Sequence, residues 1–147
     1  MHDLSVLIIY NIFVRENNKV KEAFATMDVY LKKRWDLIPN IVETVKGYTK
    51  HEKDTLTEVI KMRSFTYDSM SNEEKIRANE NLSNDISKIM ILAEEYPDLK
   101  ASESFMNLSG QLTRIEDEIA NSRKYYNATV RAVSYTHLRA HETLRHL

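Results

Sequence analysis

Cysteine is absent from this chain, and 147 residues hold only two glycines and two prolines. The first absence excludes disulfides and thiolate chemistry. It fits a reducing compartment and many bacterial envelope proteins alike, so it does not fix location. The second absence excludes most sheet folds of this size, whose tight turns call for Gly, Asn or Pro. Long hydrophobic runs are missing too. Leu4 to Val14 is apolar apart from Ser5, Tyr10 and Asn11, well short of the ~20 residues of a spanning helix. No basic residue precedes it, which makes it a poor signal peptide. It reads either as the buried start of a bundle helix or as the inner end of a membrane helix. Neither sign of charge dominates: the net charge of -1 leaves no broad basic surface for nucleic acid.

What remains is helical periodicity in a chain long enough for one domain. Phe13, Val20, Phe24, Met27, Leu31 and Trp35 form a first apolar stripe. Proline suits the first position of a helix and disrupts a helix interior. "DLIPN" therefore places the first chain reversal at Leu37-Ile38. The alternative is a helix that continues through Pro39 and turns back at "GYTKHE". The reversal at Pro39 is preferred because it yields four helices of comparable length. A second stripe then runs from Ile41, Val42 and Val45 through Tyr48, Leu56, Val59 and Met62 to Thr66. Ser71 and Glu74 read as a capping box. Leu82, Ile86, Ile89, Met90, Ala93 and Tyr96 form the third stripe, which Pro97 ends. Asp98 or Ser102 can cap the next helix. The fourth stripe passes from Phe105 and Leu112 through Ile119 to Tyr126 and Val130. The expected fold is all-α, an up-and-down four-helix bundle with long antiparallel helices.

Candidate chemistry is thin. His137, His141 and His146 crowd the C-terminus, and His141-Glu142 begins something close to a zinc-protease signature. That signature needs two residues between its Glu and its second His. "HETLRH" has three, which turns the two imidazoles to different helical faces. His51-Glu52 has no Ser, Cys or second His nearby in sequence to act with. A metal-dependent module built on His51, Glu52 and core carboxylates would call for Glu-x-x-His pairs, and none occurs. "KKR" at Lys32 to Arg34 lies between Asp28 and Asp36 and reads as a helix-surface ion-pair patch. Tyr126 reads as core and Tyr125 as its exposed neighbour. The expectation is no enzyme, no cofactor and no metal.

"IIYNIFVRENNKV", "MDVYLKKRWDLIPNIVETVKGYTKHEKDTL", "LAEEYPDLKASESFMNL" and "IEDEIANSRKYYNATVR" together resemble the LemA family of bacterial membrane proteins, from about Leu7 to Arg131. The resemblance implies an N-terminal membrane helix leading into a helical bundle, single-pass in the bacterial cell membrane, with no catalytic residues to carry over. Phe24 stands where the family commonly has Trp, and Tyr30 where it commonly has Gln. After Arg131 the chain departs from the family, and "AVSYTHLRAHETLRHL" looks like a translated sequencing adapter. The expected layout is a remnant of the membrane helix over 1–14, a LemA-like bundle over 15–131 and a non-native tail over 132–147. On this view Ser134 to Leu147 is dispensable for folding.

The expected function is that of a membrane-anchored, non-catalytic interaction or scaffold module of the bacterial envelope. Its partners would be the membrane, through the N-terminal helix, and a protein of unspecified identity. A soluble signalling or ligand-binding bundle is the alternative. With reversals at both prolines, "DLIPN" and "EEYPDLK" would meet at one membrane-distal tip. Leu37, Ile38, Tyr96 and Leu99 would be its apolar anchors, with Asp36, Asn40 and Asp98 around them.

Overall fold

The structure, a computed structural model, describes residues 2–49, 56, 57, 61 and 67–146. It is all-α, and no strand occurs among the described residues. Helix α1 runs from His2 to Lys46. A 3-10 turn, Tyr67–Ser69, precedes α2, Asn72–Glu94. A one-turn helix, α3, covers Pro97–Lys100, and α4 runs from Glu103 to Arg145. Leu56, Thr57 and Lys61 are also helical, with Leu56 buried. The rest of the expected second helix, including Val59, Met62 and Thr66, lies outside the described residues.

The expected reversal at Leu37-Ile38 does not occur, because Pro39 sits inside α1. The reason is the phase of the apolar stripe. Met27, Leu31, Arg34, Ile38, Ile41 and Val45 follow at intervals of four and three residues, and each is at most 2% exposed. That heptad rhythm passes through Pro39 unbroken. Proline in a helix interior costs about 3 kcal/mol. Burying one aliphatic side chain contributes about 1.5–3 kcal/mol, so keeping Ile38, Ile41 and Val45 in phase outweighs the lost hydrogen bond. The helix ends instead at Gly47, a poor helix former. There the Tyr48 and Thr49 amides and the Thr49 hydroxyl all donate to the Val45 carbonyl. Tyr48, expected in the stripe, is exposed in this turn.

The later boundaries follow the sequence closely. Ser71 is the N-cap of α2, and its Oγ accepts from the Glu74 amide at 3.2 Å. Pro97 takes the first position of α3, where a missing N–H costs nothing. Ser102 rather than Asp98 caps α4, accepting from the Phe105 amide at 3.2 Å. The fully buried Leu99 pins α3 into the core.

The chain divides into two compact units, Met1–Tyr30 with Asp117–Leu147, and Leu31–Glu116. In the first, the opening of α1 pairs antiparallel with the end of α4. Phe24 meets Tyr126 edge-on at 5.7 Å, and Phe13 meets His137 at 4.6 Å. As α1 advances, its partner on α4 recedes. Tyr125 is exposed as expected, whereas Tyr126, expected in the core, is half-buried. The second unit holds the end of α1, α2, α3 and the start of α4. The stripe residues Trp35, Leu82, Ile89 and Phe105 are buried in it.

The expected dispensability of Ser134 to Leu147 is opposed by the contact that His137 makes. Residues 132–145 continue α4 without a break, Val133 is 6% exposed, and His137 contributes the ring against Phe13. Deleting 132–147 should therefore lower stability by about 2 kcal/mol, read as a fall in Tm; an unchanged Tm would show that these contacts contribute nothing. Pro39→Ala should raise stability by up to about 3 kcal/mol, read by thermal melting. A proline at a helix start would show no gain, so a neutral or destabilising result would restore the reversal at Pro39.

Candidate functional site

The most organised polar arrangement among the described residues lies inside the second unit. Arg34 occupies a core position of the α1 stripe and is 2% exposed. Its guanidinium is held by two other helices. Nη1 donates to Ser83 Oγ at 2.8 Å and to both Glu116 carboxylate oxygens at 2.8 and 3.1 Å. Nη2 donates to the Asn79 backbone carbonyl at 2.7 Å and to Asn79 Oδ1 at 3.2 Å. Asn79 and Ser83 are four apart on α2, which puts them on one face. The Asn79 amide donates onward to the Lys75 carbonyl, and the Ser83 hydroxyl to the Asn79 carbonyl. Asn79 is fully buried, while the Glu116 side chain is 41% exposed. Arg34 Nε is buried with no acceptor among the described residues. A guanidinium is always charged and offers its donors in a planar fork. Here that fork ties α1, α2 and α4 together. Both oxygens of Glu116 are engaged, so the cluster is built as a clamp.

This clamp was misread from sequence. Of the "KKR" triplet, Lys32 forms an exposed ion pair with Asp68 at 3.1 Å. Arg34 points the other way, into the core. The signal was its place in the four-three rhythm between Leu31 and Ile38.

The expected tip does not form as drawn, because α1 runs on to Lys46. Leu37, Ile38 and Leu99 are 8%, 0% and 0% exposed, which makes them core residues rather than exposed anchors. Tyr96 is half-buried, and Asp36, Asn40 and Asp98 are exposed. No hydrogen bond or ion pair joins the α1 members to the α3 members among the described residues. His51 and Glu52 lie outside the described residues. No group of three His, Cys, Asp or Glu side chains placed to hold a metal ion occurs among the described residues.

Arg34→Ala should cost about 3 kcal/mol, because it strands the buried Asn79 Oδ1 and empties a core position. Arg34→Lys should recover only part of this, since an ammonium cannot fork between a carboxylate and an amide. Glu116→Gln, at a partly exposed partner, should cost about 1 kcal/mol or less. Chemical denaturation of the three variants measures these differences. Equal losses for Arg34→Ala and Glu116→Gln would show that the clamp is an ordinary surface pair.

Comparison with known proteins gives two findings. The family model described as the LemA family matches residues 23–143, a stretch that takes in both proline motifs, the whole clamp and residues 132–143. Protein LemA of Metamycoplasma hominis is 24% identical over 118 residues, covering 80% of this chain and 54% of that protein. The chain thus spans about half the length of this curated relative. With most of its length matched by the family model, the chain belongs to the LemA family.

Proposed function

We infer that this LemA-family chain is a non-catalytic interaction or scaffold module of the bacterial envelope, held at the membrane by the N-terminal end of α1. The observation that supports this reading is the exposed apolar surface there. Leu4, Val6, Leu7, Ile8 and Tyr10 are each more than half exposed. Farther along the same helix, Phe24, Met27 and Leu31 are buried. Contiguous exposed apolar side chains mark contact with a membrane or another protein. No helix is long and apolar enough to cross a membrane among the described residues. The reading is therefore that 1–14 supplies the inner end of the anchor.

Partner contact in this reading falls on the exposed Asp36, Asn40 and Asp98 and on half-buried Tyr96, with Leu37, Ile38 and Leu99 supporting them from the core. The cleft along α2 described below favours a second reading, a soluble ligand-binding bundle.

The chain should co-float with lipid vesicles. Leu7→Glu combined with Ile8→Glu should abolish flotation without changing Tm, since both side chains are already exposed. A wild-type chain that stays with the soluble fraction, or a natural coding sequence upstream of Leu4 that reads polar, would remove the anchor.

A further inference from the structure

Helix α2 carries a second polar arrangement on the side away from Arg34. Residues 77 and 81 lie about 200° around the helix from Asn79. A cleft of about 290 Å³ opens there. Ser69 and Met70 line it at the end of the 3-10 turn, and Glu74, Arg77, Ala78 and Asn81 line it from α2. Its walls are fixed by contacts already formed. The Tyr67 ring is buried 5.5 Å from Trp35, and Lys75 Nζ lies 5.0 Å over the same ring. Asp68 is paired with Lys32, and the Ser71 cap holds the Glu74 amide.

Glu74 and Arg77 are opposite charges at a spacing where such pairs normally close on each other. Here they do not. Neither side chain makes a hydrogen bond or ion pair among the described residues, and the Asn81 amide is likewise free. Glu74 also does not return a bond to the Ser71 amide, so the capping box is only half made. Several other α2 charges are engaged: Lys75 with Tyr67, Lys88 with Asp85, and Glu94 with Lys100. A carboxylate, a guanidinium and a carboxamide without partners thus line one cleft, and Met70 and Ala78 supply its apolar wall.

We propose that this cleft binds a free α-amino acid with an apolar side chain. An α-amino acid carries ammonium and carboxylate on one carbon. Side chains three apart on a helix leave about 5–6 Å between their Cβ atoms, so one such molecule reaches both heads. Arg77 forks the ligand carboxylate, Glu74 takes the ammonium, and Asn81 hydrogen-bonds the carboxylate's second oxygen. The ligand side chain lies against Met70 and Ala78. The volume sits at the lower limit of small-molecule sites, about 300 Å³, which is enough for one amino acid. This proposal is independent of membrane anchoring, and its test needs no membrane.

The intact chain is titrated with L-leucine and followed by backbone-amide NMR and calorimetry. The expected result is saturable binding that shifts the amides of residues 74–81. Glu74→Ala and Arg77→Ala should each weaken it about tenfold or more, with Tm unchanged because both side chains are exposed. In the unaltered chain, 4-methylpentanoate lacks the ammonium and 3-methylbutylamine lacks the carboxylate. Each should bind more weakly by a similar factor. No saturable change with L-leucine overturns the proposal. So does binding that both variants retain, or binding that the two analogues match.

Discussion

A guanidinium that leaves water must find acceptors, and both terminal nitrogens of Arg34 find them on two other helices. That single requirement sets the arrangement of the Leu31–Glu116 unit. Asn79 must present its carbonyl and its amide oxygen to α1, and this fixes the face that α2 turns inward. Ser83 must follow one turn later. Glu116 must reach in from α4 while keeping part of its carboxylate in water, which lessens the desolvation that a fully buried pair would suffer. Apolar packing around the clamp is permissive about register, since one aliphatic contact resembles another. The fork is not permissive, because its acceptors occupy fixed directions.

Much of this architecture is legible in the sequence. The stripes of α2 and α4, the Ser71 and Ser102 caps and the role of Pro97 follow from local rules with few competitors. Two misreadings share one cause: a strong local rule was set against a weaker but longer pattern. Proline at position 39 spoke for a helix start, while the four-three rhythm from Met27 to Val45 spoke for continuity, and burial decided for the rhythm. Arg34, within a basic triplet flanked by aspartates, spoke for a surface patch, yet it stands on that same rhythm. The α2 cleft was not legible. It depends on where the 3-10 turn sets Ser69 and Met70, and on charges at pairing distance that stay open.

The first unit poses a different balance. There a pair of helices holds together through Phe24 with Tyr126, Phe13 with His137, and a few buried aliphatic residues. Two helices cannot cover all the apolar surface of each other, and Leu4, Leu7 and Ile8 are left out. Such residues cost nothing in a bilayer and invite association in water.

The clamp also has an order of assembly built into it. Arg34 meets Asn79 across 45 residues of chain and Glu116 across 82. Synthesis from the N-terminus delivers the guanidinium first, its neutral acceptors on α2 next and its carboxylate last. Closing spans of this length is slow beside the formation of any one helix. Until α4 emerges, α1 and α2 can share the cation only through the oxygens of Asn79 and Ser83, with its charge still facing water. Docking of α4 is the event that neutralises it. A chain that ends before residue 116 lacks the carboxylate that pairs with Arg34.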